Sequence, residues 1–174
     1  WQAAARASGI SDDSVVVIYD QLSGAWAARL WWVFRSFGFD DVRVLDGGRR
    51  AWEAAGLPVT AGPSPAVTPG TVTARPRDEL FVDLATVAGL SRETPLVCAL
   101  RSDAYAEGHI PGSVSVPYND LLHADGTLSR EKAAAVAERL AGQRAVLYCG
   151  GAVNAAGLAL ALAEAGHDDV TLYD

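Results

Sequence analysis

This 174-residue protein has two cysteines, and one of them stands where a nucleophile would. Cys149 ends the aliphatic run Ala145-Val146-Leu147-Tyr148 and opens the small-residue stretch Gly150-Gly151-Ala152-Val153-Asn154-Ala155-Ala156. Successive N–H groups of Gly150, Gly151, Ala152, Val153, Asn154 and Ala155 could turn inward as a nest, and a following helix would add its positive end. Small residues let the backbone curl that tightly. An anionic sulfur is stabilised in such a setting and reacts at neutral pH. The plain alternative for Cys149 is a buried structural thiol. Cys98, inside the apolar run Leu96 to Ala99, reads as that kind of thiol, and a Cys98–Cys149 redox pair is the competing possibility. His109, in Gly108-His109-Ile110-Pro111-Gly112, reads as a turn residue rather than a base, while His123 and His167 read as surface residues. No histidine or cysteine spacing suggests a metal site, and no cofactor is expected. Arg101 is a candidate substrate clamp set against the commoner role of a solvated or salt-bridged arginine.

The elements that must position Cys149 follow from periodicity. Val15 to Tyr19 is an apolar run expected to be a strand buried on both faces. Ala25 to Phe37 has helical spacing and, with Trp31 and Trp32, is apolar almost all round, so deep packing is expected; Gly38 closes it. Trp26, Trp31, Trp32 and Trp52 read as core and interdomain packing. Val42 to Leu45 is the next strand, and Arg49 to Ala55 a short helix. Strands are expected at Thr71 to Ala74, Leu80 to Val82, Leu96 to Ala99, Val114 to Val116, Ala145 to Tyr148 and Val170 to Tyr173. Helical segments are expected near Thr86 to Leu90, from Ser102 to Glu107, from Arg130 to Leu140 behind a Ser129 cap, and from the cysteine loop through Glu164. Strands alternating with helices predict an α/β fold with a mostly parallel sheet flanked by helices on both faces.

A net charge of −7 argues against nucleic acid or an anionic membrane as the main partner. The longest apolar stretch, Ala155 to Ala165, is far below the ~20 residues that a spanning helix needs. Two cysteines cannot build a disulfide framework and fit a reducing, cytoplasmic setting.

The chain also resembles itself. Tyr19-Asp20 matches Tyr148-Cys149 at an offset of 129, and Gly38-Phe39-Asp40-Asp41-Val42 matches Gly166-His167-Asp168-Asp169-Val170 at an offset of 128. Ala27-Ala28 falls on Ala155-Ala156 and Leu45-Asp46 on Tyr173-Asp174. One strand–loop–helix design is therefore expected twice, with Asp20 in the first copy where the second has Cys149. The first copy has no counterpart of Phe81 to Leu128, and the chain begins at Trp1 and stops on Asp174. It is expected to be a piece of a longer protein. Residues 1–61 would be the C-terminal half of a first domain, 62–77 a Pro- and Gly-rich linker, and 78–174 most of a second.

The turn Tyr105-Ala106-Glu107-Gly108-His109-Ile110-Pro111-Gly112-Ser113, the loop Cys149 to Ala155 and the segment Leu45-Asp46-Gly47-Gly48 with Trp52 together resemble the tandem-domain rhodaneses, the thiosulfate and 3-mercaptopyruvate sulfurtransferases. The resemblance implies tandem rhodanese-like domains, the first catalytically silent. It implies a Cys149 persulfide that carries a sulfane sulfur from a small-molecule donor to cyanide or a thiol. The Cys149 to Ala155 loop, with Arg101, would hold the substrate. This chain departs from the pattern at Cys98, where such proteins carry an aspartate, and at Ala104, where an arginine is common. Gly151 and Asn154 replace family hydroxyls, so the donor stays open between thiosulfate and 3-mercaptopyruvate.

Two other readings compete. A cysteine phosphatase needs an arginine to close its loop on phosphate, and none lies between Cys149 and Ala165. A non-catalytic rhodanese-like binding or regulatory module would leave Cys149 unreactive.

Overall fold

The structure, a computed structural model, describes all 174 residues, Trp1 to Asp174. Helix α1 (Gln2–Ala7), which no motif in the sequence signals, leads to strand β1 (Val16–Ile18), helix α2 (Ala25–Ser36), strand β2 (Val42–Val44) and helix α3 (Gly48–Ala54). β1 and β2 form a two-stranded parallel sheet with Val16 opposite Val42, and α2 is the crossover that parallel pairing requires. Then come β3 (Phe81–Val82), α4 (Leu84–Ala88), β4 (Leu96–Cys98), α5 (Ser102–Glu107), β5 (Val114–Ser115), α6 (Arg130–Leu140), β6 (Ala145–Tyr148), α7 (Val153–Glu164) and β7 (Val170–Tyr173). These five strands form one parallel sheet in the order β3-β7-β6-β4-β5. β6 is central and buried along its whole length, which is why its sequence is a continuous apolar run rather than an alternation.

The internal likeness reappears as geometry. Ala145 pairs with Val170 as Val16 pairs with Val42, so the first strands stand 129 residues apart and the second strands 128. α2 and α7 pack together in one continuous core. There the small residues Ala27, Ala28, Ala155, Ala156 and Ala159 interleave with Trp31, Trp32, Leu158 and Leu162. Gly157 admits the ring of Tyr118, whose carbons lie 2.8 to 2.9 Å from where a Cβ would stand.

Several expectations need correcting. Val15, Val17 and Tyr19 are exposed, because nothing covers the second face of the two-stranded sheet. α2 is therefore packed on one side only: Trp31, Trp32 and Phe34 are buried, but Trp26 and Leu30 face outward. Trp52 is exposed as well, its indole N–H donating to the Pro58 carbonyl at 2.9 Å. His167 is buried at the position that Phe39 fills in the first copy. Thr71 to Ala74 is extended but joins no sheet. Its N–H groups donate to the side chains of Ser11, Asp12 and Gln2 and to the Ile10 carbonyl, which take the place of a neighbouring strand. Val72 is buried there, and Arg77 grips Asp40 through two bonds of 2.7 and 2.6 Å. Residues 61–69 are exposed.

Candidate active site

Cys149 follows the last residue of the central strand, where the chain leaves the carboxyl edge of the sheet to begin α7. This edge is where open α/β sheets place their ligands. The thiol is partly buried and free. None of the backbone N–H groups of Gly150 to Ala155 donates to a protein acceptor. The first one that does, from Ala156, reaches the Ala152 carbonyl at 3.0 Å. Six donors in the loop and first turn of a twelve-residue helix thus have no protein acceptor, the setting in which helix N-termini bind anions.

The curl of the loop is not made by the glycines. Ala152 holds the left-handed conformation at φ 50°, whereas Gly150 and Gly151 lie outside the positive-φ region. A Cβ added at either glycine meets nothing within 4 Å. A non-glycine residue in that region costs roughly 1–2 kcal/mol, a strain sustained by the packing around the buried Ala152.

The loop that aligns with this one, from Asp20 to Gly24, binds a carboxylate through its backbone. Gly24 stands 128 residues before Ala152 and is likewise left-handed, at φ 77°, just before its helix. The Asp20 carboxylate folds back into its own loop. Oδ1 accepts from the N–H groups of Leu22 at 2.8 Å and Gly24 at 3.0 Å, and Oδ2 from Ala27 at 3.1 Å. Ala27 corresponds to Ala155 and Gly24 to Ala152, both with free N–H groups. Asp20 is therefore an internal anion held by its own loop, whereas the N–H groups at the aligned positions beside Cys149 are unbonded. The sequence signal for it was the alignment of Asp20 with Cys149.

The remaining candidates fall into place around this loop. Cys98 is fully buried in a cluster with Val87, Leu96, Val146 and Tyr148, whereas Cys149 packs against the core that includes Leu147. Strand alternation thus puts the two sulfurs on opposite faces of the sheet, and the structure does not bring them together. Arg101 precedes α5, with its guanidinium on Asp103 at 3.2 and 3.0 Å. The Ala104 N–H and that guanidinium hold the Asp103 carboxyl below the usual range. His109 stacks on Tyr105 at 3.8 Å and donates through Nδ1 to the Tyr105 carbonyl at 2.9 Å, a bracing role. A cleft of about 400 Å³ opens between the two sheets, lined by Trp31, Asp46, Tyr118, Leu128, Arg130 and Glu164 among others, but Cys149 does not line it. The Tyr118 hydroxyl donates to the Ser23 carbonyl at 2.8 Å, tying the Asp20 loop to the larger sheet. Burial, then the charges of Asp20 and Asp46, push its pKa up. No helix is long and apolar enough to cross a membrane.

The model of the rhodanese-like domain matches residues 2–55 and 87–174. The chain belongs to the rhodanese family. Among its relatives is SseB of Mycobacterium tuberculosis H37Rv, named for thiosulfate sulfurtransferase activity. It is 37% identical over 186 residues, which span 96% of this chain and 64% of that protein. Rat (Rattus norvegicus) thiosulfate sulfurtransferase is 35% identical over 185 residues, spanning 95% of this chain and 62% of the enzyme. The crystal structure of the 3-mercaptopyruvate sulfotransferase SseA of Escherichia coli superposes with a TM-score of 0.84 at 29% identity, covering 98% of this chain and 69% of that one. This rhodanese chain thus spans less than two thirds of the length of these two curated relatives.

Proposed function

We propose that this chain carries a sulfurtransferase site with Cys149 as the sulfur carrier. In the first half-reaction the Cys149 thiolate attacks the outer sulfur of thiosulfate or the thiol sulfur of 3-mercaptopyruvate. With thiosulfate the S–S bond breaks and sulfite leaves with the electron pair; with 3-mercaptopyruvate the C–S bond breaks and pyruvate leaves as its enolate, which takes up a proton. In the second, cyanide or a thiolate attacks the outer sulfur of the Cys149 persulfide and the thiolate returns. Every sulfur species on Cys149 is anionic, and the N–H groups of Gly150 to Ala155, which have no protein acceptor, are the donors that would hold it.

One observation carries the reading: the six free N–H groups beside Cys149 match a loop whose N–H groups hold the Asp20 carboxylate. The same match supports a tandem arrangement. Residues 1–61 then form the second half of a silent unit, 62–77 connect, and 78–174 form the active unit. The engagement of Arg101 with Asp103 favours the second reading, a binding module without turnover.

Parallel thiosulfate:cyanide and 3-mercaptopyruvate assays, with mass spectrometry of Cys149, decide between the two. The expected result is one added sulfur on Cys149, loss of turnover in Cys149→Ala and its retention in Cys98→Ala. Thiocyanate formation that survives Cys149→Ala would refute the mechanism, and an unsulfurated Cys149 after donor treatment would leave the binding module.

A further inference from the structure

The side chain next to Cys149 takes no part in the chemistry above, yet it is held at every polar point. Tyr148 is 5% exposed. Its hydroxyl oxygen accepts from the Ile110 N–H at 2.9 Å and shares a hydrogen bond of 2.8 Å with Ser113 Oγ. Burial raises the phenol pKa, and the neighbouring Cys98 thiol adds to that, so the hydroxyl stays protonated. The backbone of Tyr148 is fixed too. Its carbonyl accepts from the Ala99 N–H at 2.8 Å, and it pairs across to Cys98 on one side and Tyr173 on the other.

The segment that Tyr148 grips is itself braced. The Tyr105 hydroxyl donates to the Ser113 carbonyl at 2.6 Å, and the Ser113 N–H donates to the Ile110 carbonyl at 3.1 Å. The His109 ring locks onto Tyr105 as described. The Tyr105 to Ser113 block therefore meets the central strand at one polar point, the Tyr148 hydroxyl, one residue before the sulfur. The grip acts from the sheet face opposite Cys149. Rotation of Tyr148 about the strand axis would swing Cys149 against its N–H groups.

We infer that Tyr148 is a positioning residue for Cys149: its hydroxyl, clamped by Ile110 and Ser113, sets the angle at which β6 delivers the sulfur to the cradle of Gly150 to Ala155. The inference rests on the sulfur chemistry proposed for Cys149. A displacement near 1 Å at a reacting atom costs up to about 10²-fold in rate, and loosening one of several restraints should cost about a tenth of that.

The test compares wild type, Tyr148→Phe and Ser113→Ala in this chain, at a temperature where circular dichroism shows each folded. Persulfide formation on Cys149 is followed by mass spectrometry after mixing with thiosulfate or 3-mercaptopyruvate, and kcat and KM are measured separately. Tyr148→Phe keeps the ring and should slow persulfide formation and kcat about tenfold, with KM within about twofold. Ser113→Ala, which leaves the Ile110 bond, should slow both about threefold and stands as the test if the phenylalanine variant unfolds. A merely structural tyrosine would lower the melting temperature and leave kcat per folded molecule unchanged, and that outcome overturns the inference. A change confined to KM overturns it too. Wild-type protein that forms no persulfide fails at the earlier step and removes the Cys149 reading itself.

Discussion

Removing the Asp20 carboxylate tests the central energetic claim, that this loop backbone stabilises an anion. Asp20 Oδ1 holds two N–H groups and Oδ2 one, at 2.8, 3.0 and 3.1 Å. Hydrogen bonds to a charged group contribute about 1.5–3 kcal/mol when buried. This loop is part-exposed, so water replaces much of what is lost, and the comparable loss of a helix cap costs about 0.5–2 kcal/mol. The favourable position at the start of α2 adds about 0.3–1 kcal/mol. Asp20→Ala should therefore destabilise the chain by about 2 kcal/mol, which at this size lowers the melting temperature by about 4–8 °C. Asp20→Asn keeps the oxygen that serves Leu22 and Gly24 but can turn an N–H₂ towards Ala27, so it should lose about half as much. Differential scanning calorimetry of the three proteins decides the matter. An alanine variant melting within about 1 °C of wild type would show that the cradle contributes nothing. The argument for anion stabilisation beside Cys149 would then lose its energetic basis.

Other outcomes follow from the packing and the charges. Gly157→Ala should destabilise by about 1–3 kcal/mol despite the better helix propensity of alanine, because Tyr118 occupies the space; the urea midpoint reports it. Ala141 closes α6 at φ 51° and is exposed, so Ala141→Gly should raise stability by about 1 kcal/mol, or about 2–4 °C in melting temperature. The Arg77 hydrogen bonds lower the Asp40 pKa. Because the folded carboxyl titrates below the unfolded one, the pair stabilises the fold above about pH 3.9, and that contribution fades as pH falls through the lower folded value. Asp40 is more than half exposed, so Asp40→Asn should cost at most about 1 kcal/mol near neutral pH, with the two unfolding curves converging in acid.

The larger sheet was legible because its chemistry is local. A four-residue apolar run, a Ser129 cap and a glycine stop each define their element without help from distant residues. The exposed half was not. Val15 to Tyr19 has the composition of a doubly covered strand, and composition cannot say which cover is present. Trp26 and Trp52 misled for the same reason: aromatic bulk signals burial, but the partner surface decides it. Thr71 to Ala74 has strand propensity, yet its bonds go to Ser11, Asp12 and Gln2, some 60 residues away or more. His167, expected at the surface from its polarity, is buried like its counterpart Phe39. The placing of Cys149 at a strand end before a helix was legible from its neighbours. The direction of the Asp20 carboxylate and the reach of the Tyr148 hydroxyl depend on side-chain geometry that no spacing encodes.

Gly150 and Gly151 have a consequence for how such a site can change. Neither adopts a glycine-only conformation, and open space lies where their side chains would stand. Curvature resides in Ala152, so the rim of the cradle and its backbone are separable traits. A hydroxyl or a cation could be introduced at 150 or 151 one substitution at a time without reshaping the loop. If Cys149 carries sulfur as proposed, a small library at those two positions would map donor selectivity on a constant scaffold.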